Sequence, residues 1–468
     1  MKLAYIIKDT GASILHGNPD TEIAAITADS RRVTPGALFV AVQGCSADGH
    51  AFIDDALAKG AAAVVEADRR GLALCADRFF GHPSGKLQLV GITGTNGKTT
   101  TVTLLYNLFR GLGYECGLLS TIANYVGTHR SETANTTADP VTINSLLAEM
   151  VDAGCQYCFM EVSSIGIEQH RTDGLEFKVG IFSNLTHDHL DYHKTFAEYL
   201  RCKKLFFDGL PSGATAITNA DDRNGMVMMQ NTAAKVVTYG CRSAAMHSCR
   251  IMEESFEGML LKLDGIETWT RLVGAHNASN ILAIYCTALA LGADRDETLL
   301  AISKLESAPG RLETLHGPRG LAVVIDYAHT PDALQNVLET LRDIAPERTL
   351  TCLFGCGGDR DSSKRPEMAA IAEKYADRIF VTSDNPRTEN PEGIIAQIRE
   401  GFSRDGLAKT ICITDRRQAI DAAISTAPDS STILLAGKGH ETYQITGTVK
   451  THFDEREIVN SIFARIKA

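Results

Sequence analysis

The 468-residue chain lacks any excess of basic residues: 46 Lys and Arg against 57 Asp and Glu leave a formal charge of −11. A global positive field of the kind that gathers nucleic acid is therefore not expected, and an anionic substrate must be held by local donors. Long apolar runs are also missing. The opening MKLAYIIKDTG reaches Lys8 and Asp9 too soon for a signal-peptide core, and no later stretch approaches a membrane span, so a cytoplasmic protein is expected. There is no internal repeat and no low-complexity segment. The 12 cysteines are scattered rather than paired in clusters, which fits reduced thiols. Cys155 and Cys158 have zinc-like spacing, but no second pair accompanies them and they sit in a strand-like run. Buried free thiols are the expectation, metal binding the alternative.

What is present is an alternation of strand-like and helix-like segments, and the length suits about three domains. Residues 1–84 read as a small α/β unit ending at GHPSG. Residues 85–308 begin with an apolar strand and a glycine loop, then alternate strands and helices, implying a doubly wound, mostly parallel sheet. After SAPGRLE the pattern restarts, so residues 309–468 form a second nucleotide-fold-like, Rossmann-like α/β domain, without the glycine fingerprint of a dinucleotide site. The fold class is thus α/β in three domains.

The stretch KLQLVGITGTNGKTT follows a strand and opens a helix, the context a phosphate loop requires. The strict pattern would place glycine at Ile92; here the glycines are Gly91, Gly94 and Gly97, directly before Lys98 and Thr99. Backbone amides of Gly94, Thr95, Asn96 and Gly97 and the helix N-terminus at Thr99 and Thr100 would face phosphates. Lys98 would reach the terminal phosphates, and the Thr99 hydroxyl would serve magnesium. ATP is therefore the expected nucleotide. Further candidates stand at strand ends: Glu161 closes YCFME, and SNLTHDHLDYH supplies His187, Asp188, His189, Asp191 and His193. Mg2+ prefers oxygen, which favours Glu161 over His189 as a ligand; zinc hydrolysis is the competing reading of the histidines.

GITGTNGKTT, NTT, MEVSSIGIEQHR, NLTHDHLDYH, GAHNASN, GRLE, IDYAHTPDAL, FGCGGDRD, SDNPRTENP and AGKGHETYQ occur here in one order. That set resembles the Mur ligases over nearly the whole chain, and the family's loop has the Gly-x-x-Gly-x-x-Gly-Lys-Ser/Thr spacing. The resemblance is closest to the branch that adds meso-diaminopimelate to UDP-N-acetylmuramoyl-L-alanyl-D-glutamate in peptidoglycan synthesis. It implies an N-terminal domain for the UDP end, a central ATP domain and a C-terminal amino-acid domain. It also implies a reaction: ATP phosphorylates the D-glutamate carboxylate and the incoming amine displaces phosphate. Glu161 and His189 match the family's magnesium residues. Lys203, ten residues after His193, matches its carbamylated lysine, with Lys204 as the neighbouring competitor and a solvated basic pair as the plain reading. Asn277 and Asn280 resemble adenine-side contacts, though capping amides would look the same. Arg311 and Asp326 match residues near ATP across the domain junction. Ala28, Ser30, Asn135, Thr136, Thr137, Ser163, Gln169 and Arg171 correspond to the UDP-muramoyl-dipeptide contacts.

The amino acid is implied by DNPR: Asp384, Asn385, Pro386 and Arg387 match the diaminopimelate pattern, with Arg360, Gly437 and Glu441 as further contacts. Diaminopimelate and lysine share a chain, but only the former has a second carboxylate for a guanidinium to grip. Three departures stand out: CSA at Cys45–Ala47 where relatives have HQA, Ala138 after NTT instead of proline, and Ile165 where histidine is common. The resemblance implies small-molecule substrates, no nucleic-acid partner and a monomer. A lysine-adding ligase, a folylpolyglutamate synthase or the next Mur ligase of the pathway remain alternatives, as does a paralogue that only binds nucleotide.

Overall fold

The computed structural model describes residues 1–44, 48–133, 135–186 and 190–467, the side chains of Leu190 and Asp191 excepted. The chain divides into two compact units, Met1–Ser248 with Ile281–Ala301, and Cys249–Asn280 with Ile302–Ala468.

In the first unit the helix starts are written in the sequence as a polar cap followed closely by a helix former. Asp139 caps helix Pro140–Asp152 through the Thr142 amide, with proline at the first turn where its missing N–H costs nothing. Thr195 caps helix Phe196–Asp208 in the same way through Glu198. Between such helices run short apolar strands. Lys235–Gly240, Thr215–Asn219, Phe177–Phe182, Gln88–Thr93, Tyr157–Glu161 and Cys116–Leu119 lie side by side in that order, all parallel. Their residues are buried almost throughout, as strands covered on both faces must be. An antiparallel hairpin, Asn124–Val126 and His129–Ser131, extends the edge beyond Cys116–Leu119. Strand Gln88–Thr93 sits between Tyr157–Glu161 and Phe177–Phe182, the point at which the chain changes the side on which it adds strands. Ligands of open α/β sheets gather outside the carboxyl ends of strands at such a point. A separate four-stranded sheet, ordered Ser13–His16, Ala63–Glu66, Ala37–Ala41, Ala25–Thr27, belongs to the N-terminal residues of this unit.

The second unit carries most of an antiparallel meander, with Gly258–Leu263 pairing both Ile266–Thr270 and the strand His247–Ser255, whose first two residues belong to the first unit. Its main sheet runs Glu313–His316, Ala322–Asp326, Thr432–Ala436, Leu350–Phe354, Arg378–Val381, Thr410–Cys412, parallel except for the first strand. Helix Pro331–Ile344 buries Leu334, Val337, Leu338 and Leu341, the i, i+3, i+4, i+7 stripe of a helix laid on a sheet. A hairpin of the half-buried strand Tyr443–Thr446 and the exposed strand Val449–His452 precedes the final helix Glu455–Lys467. Among the described residues no helix is long and apolar enough to cross a membrane.

Candidate active site

The phosphate loop is shaped by what its glycines leave out. Gly91 lies inside strand Gln88–Thr93, where an added Cβ would come 2.6 Å from Phe177 and 2.7 Å from Phe206. Gly94 has φ +153°, and a Cβ there would lie 2.0 Å from Ser183 Oγ. The loop is then fastened to the next strand end. Thr95 N donates to Asn184 O (2.9 Å), Asn96 N to Asn184 Oδ1 (2.8 Å), and Ser183 Oγ to Asn96 O (2.7 Å). Helix Lys98–Gly111 opens directly behind it, with Thr99 and Thr100 buried in its first turn. Lys98 Nζ donates to the carbonyls of Gly94 (2.9 Å) and Thr95 (2.7 Å).

Lys203 arrives at the same carbonyl from helix Phe196–Asp208. It is 1% exposed, its Nζ donates to Gly94 O at 2.8 Å, and it lies 4.7 Å from the Tyr199 ring centroid. Its neighbour Lys204 instead pairs with Asp208 one turn on, at 2.5 Å. Of the two lysines, Lys203 is the one the helix delivers to the loop.

Glu161, in register with Ile92, is 1% exposed. Its Oε1 accepts from Thr121 N at 2.8 Å, while Oε2 has no hydrogen-bond partner among the described residues. A buried carboxylate oxygen left so is costly unless a cation or donor completes it. Among the described residues no group of three or more His, Cys, Asp or Glu could hold a metal. What remains on offer is sparse oxygen, Glu161 and the Thr99 hydroxyl, which fits magnesium, an ion that keeps water and phosphate as most of its ligands. His187, Asp188 and His189, on which the zinc reading rests, and the departure at Cys45–Ala47, lie outside the described residues. Cys155 and Cys158 are free and buried, and burial pushes both thiols above the ordinary range.

A hydrogen-bond network joins Glu161 to most residues expected for the dipeptide end. Thr137 Oγ1 donates to Glu161 O (3.0 Å) and accepts from Ser163 N (3.0 Å); Thr121 Oγ1 bonds Thr136 Oγ1 (3.1 Å). Arg171 donates to Thr137 O (2.6 Å) and Gln169 Oε1 (2.7 Å). Gln169 Nε2 in turn donates to Tyr192 OH (3.0 Å). Asn135 is exposed beside it. Ala28 and Ser30 stand apart, in the N-terminal sheet region, where Ser30 opens a short turn capped by Asp29.

In the second unit, Asn277 and Asn280 share a helix face, as their spacing required: Asn280 Nδ2 donates to Asn277 Oδ1 at 3.1 Å. The Arg311 guanidinium lies 4.8 Å from the Tyr327 ring centroid, and its buried Nε has no hydrogen-bond partner among the described residues. Asp326 has both oxygens taken by main chain, Leu312 N at 2.7 Å and Ala328 N at 2.8 Å. Burial pushes its carboxyl up, and Arg311 opposes that shift. Asp326 therefore fixes the turn that carries Arg311.

The remaining candidates cluster at the carboxyl ends of three parallel strands. Arg387 has φ +50°, its amide donates to Ile445 O (3.2 Å), and Nη1 donates to Gly358 O (2.8 Å). Gly358 must be glycine, since a Cβ there would lie 1.9 Å from Pro386 O. Asn385 Nδ2 donates to Glu441 Oε2 at 2.9 Å, and Gly437 (φ +114°) sits against the Asp384 carboxylate. Burial raises the Glu441 carboxyl above its usual range; Lys438 works against the rise and Asp384 adds to it. Arg360 is exposed and makes no hydrogen bond among the described residues. Sequence reasoning missed Asn184, the brace of the phosphate loop, and Lys438. A lone polar residue closing an apolar strand, and a lysine flanked by glycines after another, were the available signals.

Comparison with known proteins agrees along the whole length. Models described as "Mur ligase family, catalytic domain", "Mur ligase middle domain" and "Mur ligase, glutamate ligase domain" match residues 22–77, 92–288 and 310–439. The chain is 48% identical to the UDP-N-acetylmuramoyl-L-alanyl-D-glutamate–2,6-diaminopimelate ligase of Parabacteroides distasonis, over 99% of both. It is 39% identical to the ligase of that name from Geobacillus kaustophilus, over 98% of this chain and 99% of the other. A solved structure of a ligase so named superposes with TM-score 0.73 at 30% identity, covering 100% of both chains. A MurF ligase of Thermotoga maritima in complex with ADP shares the fold, with TM-score 0.65 at 18% identity over 95% of this chain and 98% of the other.

Proposed function

The chain belongs to the Mur ligase family, and we propose that it joins 2,6-diaminopimelate to UDP-N-acetylmuramoyl-L-alanyl-D-glutamate at the expense of ATP. The observation that carries the amino-acid side is the Asn385–Arg387–Glu441 cluster. It presents a guanidinium and a carboxylate from one hydrogen-bonded set of loops. A diamino diacid offers the complement of both, whereas lysine leaves the guanidinium without its anion.

The reaction follows from the weakness of a carboxylate as an electrophile. Its charge repels an amine, and oxide is not a leaving group. Transfer of the γ-phosphoryl group to the D-glutamate side-chain oxygen gives an acyl phosphate and ADP. The amine of the incoming amino acid then adds to the acyl carbon, loses a proton, and expels phosphate to leave an amide. Lys98 and the amides of Gly94, Thr95, Asn96, Gly97, Thr99 and Thr100 hold the phosphates, where charge spreads over equatorial oxygens during transfer. Thr99, Glu161, His189 and Lys203, the last as its carbamate, are the residues assigned to Mg2+. When bound, the ion supplies positive charge to the phosphate oxygens. Support for carbamylation lies in Lys98 and Lys203 sharing the Gly94 carbonyl; carbamylation would replace one of two adjacent cations with an anion. Asn277, Asn280, Arg311 and Asp326 are assigned to ATP. Ala28, Ser30, Asn135, Thr136, Thr137, Ser163, Gln169 and Arg171 are assigned to the UDP-muramoyl-dipeptide. Asp384, Asn385, Pro386, Arg387, Arg360, Gly437 and Glu441 are assigned to diaminopimelate. Residues 1–84, 85–308 and 309–468 carry these tasks as three domains.

The test is ADP release with the UDP-muramoyl-dipeptide and, in turn, meso-diaminopimelate, L-lysine and D-alanyl-D-alanine. Release that depends on diaminopimelate, with a new amide in the product, supports the reading. Release with lysine instead assigns the chain to the lysine-adding reaction, and release with neither refutes both.

A further inference from the structure

Three cations are fully buried in the second unit, and two of them are braces. Arg365, 1% exposed, is held by Glu389 at 3.0 Å and by Gln397 at 2.6 Å. Arg416 meets Glu455 at 2.8 Å with both side chains at 0% exposure. The third, Lys438, is different in what surrounds it. It stands on the turn that follows strand Thr432–Ala436, is 0% exposed, and its Nζ donates to Tyr443 O (2.8 Å) and Asn385 Oδ1 (3.0 Å). Two carboxylates flank it, Asp384 Oδ1 at 3.3 Å and Glu441 Oε2 at 3.5 Å. The Asp384 oxygen is in ion-pair range but outside hydrogen-bonding geometry. Every side chain in this group except Tyr443 is assigned to the amino-acid ligand, and Lys438 is not.

We propose that Lys438 is a positioning residue for the incoming diamino acid: it orients the Asn385 amide and holds Glu441 in place to receive the ligand's ammonium. This rests on the ligase reading above. Asn385 Oδ1 accepts from both Lys438 and Ile445 N (3.0 Å), which fixes the amide so that its Nδ2 faces Glu441. A carboxylate buried as Glu441 is would take up a proton readily, and Asp384, Tyr327 and Tyr443 around it add no positive charge. Lys438 is the cation that counters this. Around Lys438 itself two carboxylates face one ammonium, so a ligand ammonium beside Glu441 brings charge of the sign that side of the pocket lacks. Arg387, bonded to Gly358 O, is left for the ligand's carboxylate. The sign follows directly: as pH falls Glu441 is neutralised and the ligand's ammonium loses its partner, and without Lys438 that loss begins at higher pH.

The experiment measures ADP release against diaminopimelate concentration from pH 6 to 9, at saturating ATP and UDP-muramoyl-dipeptide, for wild type, Lys438→Met, Lys438→Arg and Glu441→Gln. For Lys438→Met, the expected result is KM for diaminopimelate raised about tenfold or more, with KM for ATP within about twofold. The acid limb of kcat/KM moves to higher pH. Lys438→Arg, which keeps the charge, returns that limb toward its wild-type position, and Glu441→Gln removes Glu441's part of it, leaving the titration of the attacking amine. Should Lys438→Met fail to fold, Lys438→Arg and Glu441→Gln still decide. A limb in Glu441→Gln identical to the wild-type one overturns the proposal. So does an acid limb unmoved in Lys438→Met, or parallel rises in both KM values there. Wild type that releases no diaminopimelate-dependent ADP refutes the ligase reading itself, a result none of the variants can imitate.

Discussion

The phosphate loop and the amino-acid loops are built by opposite means. Around Gly94–Gly97 the ligand-facing groups are largely main-chain amides, held by Asn184 and Ser183 and by the absence of side chains at Gly91 and Gly94. Around Arg387 the shape is held by side chains that bond one another, with Lys438 and Asn385 at the centre. On the ligase reading a triphosphate would be met by a generic cradle, whereas discrimination between two amino acids that differ by one carboxylate would need individually placed charges. Replacing a side chain should therefore be selective in the second region, and enlarging one should destabilise the first.

The largest effect is expected where the cradle does carry a side chain. Lys98→Ala should lower kcat for ADP formation by roughly 10²–10³-fold with KM for diaminopimelate nearly unchanged, measured by coupled ADP release. Arg387→Ala should cost about 100-fold in kcat/KM for diaminopimelate while KM for ATP stays within about twofold. Equal losses on both substrates would erase the contrast. Gly91→Val should cost about 1–3 kcal/mol of stability through overpacking, read from the denaturant midpoint. The smallest effect is reserved for the double variant Cys155→Ala, Cys158→Ala. Its turnover and metal content should match wild type, with a stability loss of about 1 kcal/mol for each buried sulfur removed; a lost equivalent of zinc would revive the metal reading of that pair.

Most central parallel strands were legible as short apolar runs, as at Tyr157–Glu161 and Thr432–Ala436, and the helices through Thr195, Asp139 and the Thr330–Pro331 start. Cys116–Leu119 is only four residues long, and Lys235–Gly240 and Thr410–Cys412 are partly exposed; these three were not legible. The meander His247–Thr270 and the hairpin Tyr443–His452 were not, since their alternation is carried by charged or half-exposed residues, and the strand Val449–His452 is exposed throughout. That hairpin is why Lys438 went unnoticed. A lysine between two glycines reads as a solvated turn, and the partners that bury it, Asn385 and the Tyr443 carbonyl among them, come from other segments. The choice of Lys203 over Lys204 rested on spacing to His193, and it agrees with the pairing of Lys204 to Asp208.

The crowding of Gly91 by two phenyl rings makes the nucleotide motif poorly portable. Residues 94–100 transplanted onto another scaffold would carry the recognisable signature yet leave behind Phe177 and Phe206, which lie far downstream in the chain. An engineer borrowing this cradle has to move two neighbouring strands and a helix together, and a pattern search that credits the first glycine to the turn is counting a sheet residue.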